Sequence, residues 1–268
     1  LVKQTSVRPI VERVLEIRRR QEIRNQVPDW RAPTDPRLLG ESAALQQVRE
    51  SLRKVSRSPE TTVLITGETG AGKEVSARTL HQETADRERP FVPVDCLALP
   101  PNLVESILFG HEKGAFTSAD GPRDGAVCEA ADGTLFLDEI GELAPELQGK
   151  LLRMLETRTY QRVGSVKERS VRARIVAATH RDLEAQVAQG RFRHDLYQRL
   201  SVFPIHLPPL KERQGDIGLL AHHFLDQMAE EGECPRHSLH PDVDQALMQW
   251  RWPGNVRELE NVIERAVA

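Results

Sequence analysis

This chain of 268 residues has few aromatic residues, no net positive charge and no long apolar run. Aromatics make up 4% of it, which disfavours a stacking surface for single-stranded nucleic acid. Because the formal net charge is -3, the chain as a whole is not a basic nucleic-acid binder. No apolar run approaches the roughly 20 residues that a membrane-spanning helix requires, so we expect no contact with a membrane.

Cysteines are also few, since only Cys96, Cys128 and Cys234 occur along the chain. An odd number without regular spacing is typical of reduced thiols and predicts a cytoplasmic protein. Cys234 lies near His237 and His240, but this spacing is not that of a zinc finger and no fourth ligand is apparent. We therefore expect no zinc site there.

The rest of the composition suits an ordinary globular core. Hydrophobic residues make up 39% of the chain and charged residues 29%. The length allows one large domain or two modest ones. The first residue is Leu rather than Met, and we expect the chain to be a fragment of a longer protein.

A glycine-rich segment follows an apolar run at residues 62–66. Glycines permit the tight turns in which backbone N–H groups surround an anion, and a helix that begins near Lys73 adds the positive end of its dipole. Lys73 supplies a full charge for the outer phosphates of a nucleotide. Glu74 stands where a P-loop usually has Ser or Thr, and a chance glycine-rich turn is the alternative. The predicted nucleotide-binding residues here are Gly67, Glu68, Thr69, Gly70, Ala71, Gly72, Lys73 and Glu74.

A second apolar run, residues 134–138, ends in two carboxylates. Open α/β sheets bind ligands at the carboxyl ends of their strands. Asp138 can therefore reach a magnesium ion on the phosphates, directly or through water, and Glu139 can orient or deprotonate an attacking water. An acidic helix cap after a strand is the alternative. Together the two motifs predict hydrolysis of ATP or GTP.

Hydrophobic periodicity divides the chain into four parts. Residues 1–26 contain an amphipathic helix with a heptad seam over 7–24, which is either a surface helix or a linker that forms dimers. Residues 27–38 are proline-rich and predict an extended connector. Alternating strands and helices over 39–207 predict a parallel sheet covered on both faces, and 208–268 is helical in period. Predicted strands are 62–66, 91–95, 134–138, 174–179 and 202–206; predicted helices are 42–55, 73–84, 145–157, 216–230, 241–251 and 255–267.

A loop of small residues around one aromatic ring lies between the two nucleotide motifs. A single apolar ring on such a loop is plausible as a contact point for a partner, and an ordinary turn is the alternative. The residues of this predicted partner-binding loop are Gly114, Ala115, Phe116, Thr117, Ser118 and Ala119.

The run from Phe109 to Thr117 resembles the signature of bacterial enhancer-binding proteins, the activators of sigma-54 RNA polymerase, whose loop usually reads GAFTGA. The P-loop also resembles theirs, including the Glu after the Lys. The resemblance runs from about Leu39 to the C-terminus. It implies an α/β fold: an AAA+ P-loop ATPase core with a parallel five-stranded sheet, followed by a smaller all-helical lid. It further implies that ATP and Mg²⁺ are bound and that the loop contacts sigma-54 and moves with the nucleotide state.

The same resemblance implies a ring of six or seven subunits. Residues 190–200 resemble the segment with the family's arginine fingers, here Arg193 and Arg199, which would reach the γ-phosphate bound by a neighbour; solvated surface arginines are the alternative. Arg257 falls at the second sensor position in the lid. Asn255 before it is a good helix N-cap, and a purely structural role for that part of the motif is the alternative. DNA binding would belong to a helix-turn-helix beyond Ala268, and residues 7–24 could hold an inactive dimer.

Three residues depart from the usual family pattern. Ser118 replaces a glycine of the loop, and serine adopts positive φ only at a cost. His180, after Thr179, stands where the first sensor usually has Asn. Asp95 stands where Asn commonly restrains the catalytic glutamate, so we expect repulsion between Asp95 and Glu139. The alternative at all three positions is a sequence change that has no effect on function.

Two other functions remain open at this stage. One is a regulator of the same fold that has lost sigma-54 engagement and acts as a nucleotide-gated binding module, which Ser118 favours. The other is an AAA+ enzyme of another class, such as a clamp loader or helicase, which the Phe116 loop argues against. The function that the motifs favour is an ATP-hydrolysing transcriptional activator, with a phosphorylated receiver or a ligand sensor as its missing N-terminal domain.

Overall fold

The computed structural model describes residues 38–84, 88–97, 101–116, 119, 121–230 and 241–267. The predicted linker helix and nearly all of the connector lie outside the described residues. So do Thr117 and Ser118 of the partner-binding loop, and Cys234, His237 and His240.

Five parallel strands form the central sheet, in the order β2-β3-β6-β1-β7. This confirms the predicted parallel five-stranded sheet. The strands are β1 Val63–Thr66, β2 Phe91–Asp95, β3 Thr134–Asp138, β6 Arg174–Thr179 and β7 Phe203–His206. A separate two-stranded hairpin pairs β4 Thr159–Gln161 with β5 Glu168–Ser170. The sequence analysis missed this hairpin because its strands are short and largely exposed.

Helices cover both faces of the sheet. They are α1 Ala43–Ser56, α2 Lys73–Gln82, α3 Pro101–Phe109, α4 Ala126–Glu129, α5 Pro145–Thr157, α6 Leu183–Ala188 and α7 His194–Leu200. Alternate side chains of each strand point to opposite faces. Leu135 and Leu137 of β3 therefore join one apolar cluster, while Phe136 joins the other. Both clusters are buried, which explains why the sheet strands form continuous apolar runs.

A helical segment follows the last strand of the sheet. It contains α8 Ile217–Glu230, α9 Pro241–Gln249 and α10 Asn255–Val267, which are packed around their own apolar cluster. Trp252 is buried in that cluster and donates its indole N–H to the Leu247 carbonyl at 2.8 Å. None of the helices among the described residues is both long enough and apolar enough to cross a bilayer.

Candidate nucleotide-binding site

The glycine-rich loop connects β1 to α2 in the predicted way. Gly70 has φ +77° and Gly72 has φ +103°, a region that side chains other than glycine rarely adopt. Gly70 is also sterically required, because a Cβ there would lie 2.3 Å from the Gly254 carbonyl oxygen. The loop therefore has the turn that a phosphate cradle needs, and it lies directly against the helical segment.

Lys73 is buried at the first turn of α2. Its ammonium donates to the carbonyl oxygens of Gly67 at 3.1 Å and Glu68 at 3.4 Å. It also lies 3.3 Å from Glu139 Oε1. A buried ammonium requires such partners, and the oxygens of a polyphosphate could replace them. The donor set therefore fits a nucleotide.

Asp138 and Asp95 are neighbours at the carboxyl ends of β3 and β2, where they pair in register. Asp138 Oδ1 accepts from the Glu139 N–H at 2.9 Å. Burial raises the pKa of the Asp138 carboxyl, and the charges of Glu139 and Asp95 act in the same direction. A cation beside Asp138 would offset this effect, so its carboxylate is suited to Mg²⁺.

Other metal ligands are few around Asp138. The described part of the chain has no cluster of three or more His, Cys, Asp or Glu side chains able to hold a metal. Mg²⁺ usually takes one or two carboxylates together with phosphate oxygens and water. The site therefore fits Mg²⁺ that arrives with a nucleotide.

Glu139 is held by His180. Its Oε2 lies 2.6 Å from His180 Nδ1 and accepts from the His180 backbone N–H at 3.2 Å. Burial acts to raise the pKa of the Glu139 carboxyl, but the His180 hydrogen bonds and the Lys73 charge outweigh it and lower that pKa. Glu139 is therefore ionised, as a general base must be.

The structure corrects the expectation for Asp95. The carboxylate of Asp95 accepts from the Leu97 N–H at 2.8 Å, and its charge acts on Asp138. Within the described residues the side chains that contact the Glu139 carboxylate are those of His180 and Lys73. The register explains this difference, because Asp95 pairs with Asp138 whereas Glu139 lies beyond the end of β3.

Two further predicted residues lie beside the loop. Thr179, at the end of β6, accepts the Gly67 N–H with its carbonyl oxygen at 3.3 Å. Glu74 is exposed and pairs with Arg78 of the same helix at 2.8 Å.

Arg193 and Arg199 lie at the start and on the exposed side of α7, which packs against α5. Arg193 makes a bidentate pair with Asp195, at 3.0 and 2.7 Å. Arg199 donates to the Leu155 carbonyl oxygen at 3.3 and 3.2 Å. Within the described residues both guanidinium groups thus have partners in their own chain, and neither bonds the Glu139 carboxylate.

Arg257 and Asn255 lie on the lid side of the loop. Arg257 is exposed on the first turn of α10. It lies close to the loop, because a Cβ added at Gly70 would be only 3.2 Å from the Cβ of Arg257. Asn255 is not a helix N-cap. It has φ +55°, and its Oδ1 accepts from Leu210 N at 2.7 Å rather than from its own helix.

The aromatic ring of the predicted partner-binding loop is half-buried. Phe116 packs edge-to-face on His111, with ring centroids 4.8 Å apart. Gly114 N donates to Ala119 O at 2.9 Å, which closes the loop. The ring therefore packs against a residue of its own chain.

The base of this loop is joined to the β4–β5 hairpin. Glu112 N donates to Val163 O at 3.0 Å, and Val163 N donates to Gly110 O at 2.9 Å. Arg162 pairs with Glu112 at 3.1 Å and also with Asp124. The hairpin turn and the base of the loop are therefore joined by both backbone hydrogen bonds and ion pairs.

Two family descriptions match the chain. Residues 38–206 match the sigma-54 interaction domain, and residues 211–268 match an AAA+ ATPase lid domain.

Curated relatives are transcriptional regulators. Transcriptional regulatory protein ZraR of Escherichia coli K12 is 50% identical over 230 residues, which are 86% of this chain and 52% of the relative. Response regulator protein PilR of Pseudomonas aeruginosa is 48% identical over 235 residues, which are 88% of this chain and 53% of the relative. The chain thus spans about half the length of the curated relatives it matches.

Solved structures share the fold. The crystal structure of NtrX from Brucella abortus in complex with ATP has a TM-score of 0.79 at 34% identity, and covers 99% of this chain and 57% of that one. NtrX in complex with ADP has the same values. The predicted fold class is confirmed by this similarity together with the parallel sheet and the helical segment.

Proposed function

The chain belongs to the sigma-54 interaction domain family and continues into an AAA+ lid, and on that premise we propose that it hydrolyses ATP to remodel sigma-54 RNA polymerase. ATP is the proposed substrate, Mg²⁺ the cofactor and sigma-54 polymerase the partner. The names of the relatives support a role in transcription. NtrX, a relative, was crystallised with ATP and with ADP.

The proposed chemistry assigns one role to each residue around the loop. Lys73 and the loop N–H groups hold the phosphates, Glu139 takes a proton from the attacking water, and His180 orients Glu139. Mg²⁺, when bound, neutralises charge on the phosphate oxygens, and Asp138 holds it. Arg193 and Arg199 of an adjacent subunit approach the γ-phosphate, and Arg257 contacts it from the lid.

One observation carries this proposal. Lys73 and His180 both contact the Glu139 carboxylate, so the first turn of α2 and the ends of β3 and β6 meet beside the loop. The Lys73 ammonium, which would bind phosphate, thus lies 3.3 Å from the Glu139 carboxylate, which would act as the base. A structural helix cap after β3 would require neither contact.

The rate of phosphate release per subunit, measured against protein concentration, tests the proposal. We expect the rate per subunit to rise with concentration and then to plateau, because the site is completed by a neighbour. Sigma-54 polymerase should change the plateau. A rate per subunit that stays constant over a hundredfold dilution would contradict a shared site.

Phe116→Ala tests the proposed partner loop. We expect ATP turnover within about twofold of wild type, because the ring packs on His111 and not on the nucleotide site. Binding to sigma-54 in a pull-down should fall at least tenfold, since buried aromatic rings dominate interface energetics. Trp250→Ala, which removes an exposed ring from the helical segment, is the control. Full sigma-54 binding by Phe116→Ala would exclude this role.

The proposal extends to the assembly of the protein and to the bounds of its domains. We propose a cytoplasmic ring of six or seven subunits, with a core over 39–207, a lid over 208–268 and DNA contact only outside this chain. Residues 1–26 are proposed to link to an N-terminal sensor and to hold an inactive dimer. Because Ser118 lies outside the described residues, no structural observation favours the alternative of a regulator without sigma-54 engagement.

A further inference from the structure

Three consecutive carbonyl groups of the P-loop accept hydrogen bonds from the lid. Thr69 O accepts from Asn255 Nδ2 at 3.0 Å, and Gly70 O accepts from the Val256 N–H at 3.0 Å. Ala71 O accepts from the buried Arg213 guanidinium at 3.3 Å. The outer side of the loop is thus bound to the lid along its whole turn.

Peptide geometry transfers this constraint to the inner side of the loop. In a planar trans peptide the C=O of one residue and the N–H of the next point in opposite directions. Holding Thr69 O and Ala71 O against the lid therefore directs the N–H groups of Gly70 and Gly72 away from it. The remaining N–H, that of Ala71, closes a turn onto Glu68 O at 3.2 Å. Lid contacts thus determine where the loop donors point.

Asn255 is the central residue of these contacts. It is completely buried, and its Nδ2 donates both to Thr69 O and to Glu68 Oε2, each at 3.0 Å. Its Oδ1 accepts from Leu210 N at 2.7 Å, which joins the two ends of the lid. Hydrogen bonds from Asn255 and then from Lys211 lower the pKa of the Glu68 carboxyl. One amide therefore connects the P-loop backbone, a P-loop carboxylate and two separate lid segments.

A purely conformational role does not account for these bonds. Asn is among the residues that tolerate positive φ, and φ +55° at this position would by itself explain its presence. Backbone tolerance does not require the side chain to reach the loop, however. Both polar atoms of its side chain bond groups outside its own helix.

We propose that Asn255 is a positioning residue for nucleotide binding, through which the lid holds the phosphate cradle in its binding shape before the nucleotide arrives. This inference rests on the proposed function as an ATP-binding protein. A loop that is already ordered loses less conformational entropy when it binds. The cradle contacts phosphates common to ATP and ADP, so both nucleotides should depend on Asn255 equally.

Asn255→Gly separates the backbone role of this residue from its hydrogen bonds to the P-loop, because glycine tolerates the positive φ but has no amide. We expect the Kd of fluorescently labelled ADP and of labelled ATP, each measured by titration with Mg²⁺, to rise about tenfold alike. That factor corresponds to about 1.4 kcal/mol. Turnover at saturating ATP should fall less than threefold, since Asn255 contacts none of the proposed reacting groups. Asn261→Ala, on the exposed side of the same helix, is the control and should bind like wild type.

A reciprocal exchange provides the second test. Asn255→Asp keeps the size of the side chain but sets two carboxylates against each other at Glu68, and we expect it to weaken binding more than Asn255→Gly. Adding Glu68→Gln restores one amide–carboxylate pair and should recover part of the lost affinity. Circular dichroism will show whether Asn255→Gly is folded. If it is not, Asn255→Asp alone and together with Glu68→Gln still tests the role of Asn255, because these substitutions keep the size of the side chains.

The outcomes are distinguishable. Wild-type affinity in folded Asn255→Gly for both nucleotides would overturn the inference alone. A loss confined to ATP would also overturn it, since the residue would then act at the γ-phosphate. Absence of nucleotide binding by the wild-type chain would overturn the proposed function and this inference with it.

Discussion

Glu139→Gln should retain nucleotide binding and lose nearly all ATP turnover. General base catalysis contributes about 10²–10⁴ in rate, and glutamine has no basic oxygen with which to accept the proton of the attacking water. The amide has nearly the same shape, so it can still accept the His180 N–H that now bonds Oε2. Lys73 loses the carboxylate now 3.3 Å away, which leaves its charge to the phosphates. We therefore expect a Kd for ATP equal to or lower than that of wild type.

Phosphate release and equilibrium binding, measured on the same preparation, check this prediction. Glu142→Gln is the matched control. It makes the same chemical change three residues away, at a carboxylate that pairs with Arg181 instead of Lys73. We expect the control to turn over within about threefold of wild type. Turnover of Glu139→Gln above one tenth of the wild-type rate would remove Glu139 from the role of base.

Arg199→Ala has the second largest expected effect, a loss of about 10³ in turnover or more, which is the range seen for guanidinium groups that stabilise phosphoryl transfer. In its own chain the Arg199 guanidinium is held on the Leu155 carbonyl, on the side of α5. It is exposed there and available to an adjacent subunit. The affinity for ATP should change much less than the turnover, because Lys73 and the loop remain intact.

Mixing two inactive variants tests whether this arginine acts between subunits. Arg199→Ala chains have an intact Glu139, and Glu139→Gln chains have an intact Arg199. A mixed ring therefore contains sites with both groups, and we expect turnover to reappear on mixing. Recovery should follow the fraction of correctly ordered neighbours as the mixing ratio is varied.

Arg191→Ala is the control for the mixing experiment. Arg191 is an exposed arginine of the same segment that bonds Gln189, and its loss should leave turnover within about threefold of wild type. Two inactive variants that stay inactive at every mixing ratio would show that Arg199 does not complete a neighbour's site.

Local chemistry explains why much of the site could be predicted. Strand, glycine turn, lysine and helix follow one another between residues 63 and 82, and each requires a residue type that is visible in the sequence. The Asp138–Glu139 pair was also local, since it ends an apolar strand. Predicted strand and helix bounds agree with the structure to within about two residues, because burial on both faces makes the runs continuous.

Other features depend on side-chain direction across distant segments. His180 lies 41 positions from Glu139 along the chain, and its ring reaches Glu139 because β3 and β6 are neighbours in the sheet. From the family resemblance, Asp95 was expected to repel Glu139, whereas in the structure Asp95 pairs in register with Asp138. The packing of Phe116 on His111 likewise depends on how the loop folds back.

Periodicity and spacing in the chain were sufficient for the strands, the phosphate loop and the paired carboxylates, because each of these depends on residues that are adjacent or regularly repeated, and the family followed from the resemblance of local motifs. Only the tertiary structure shows which side chain holds Glu139. It also shows that Asn255, which lies in the lid 186 positions from Thr69, bonds the P-loop. Contacts of this kind arise from the order of the strands and the docking of the helical segment. Neither is encoded in any single stretch of residues.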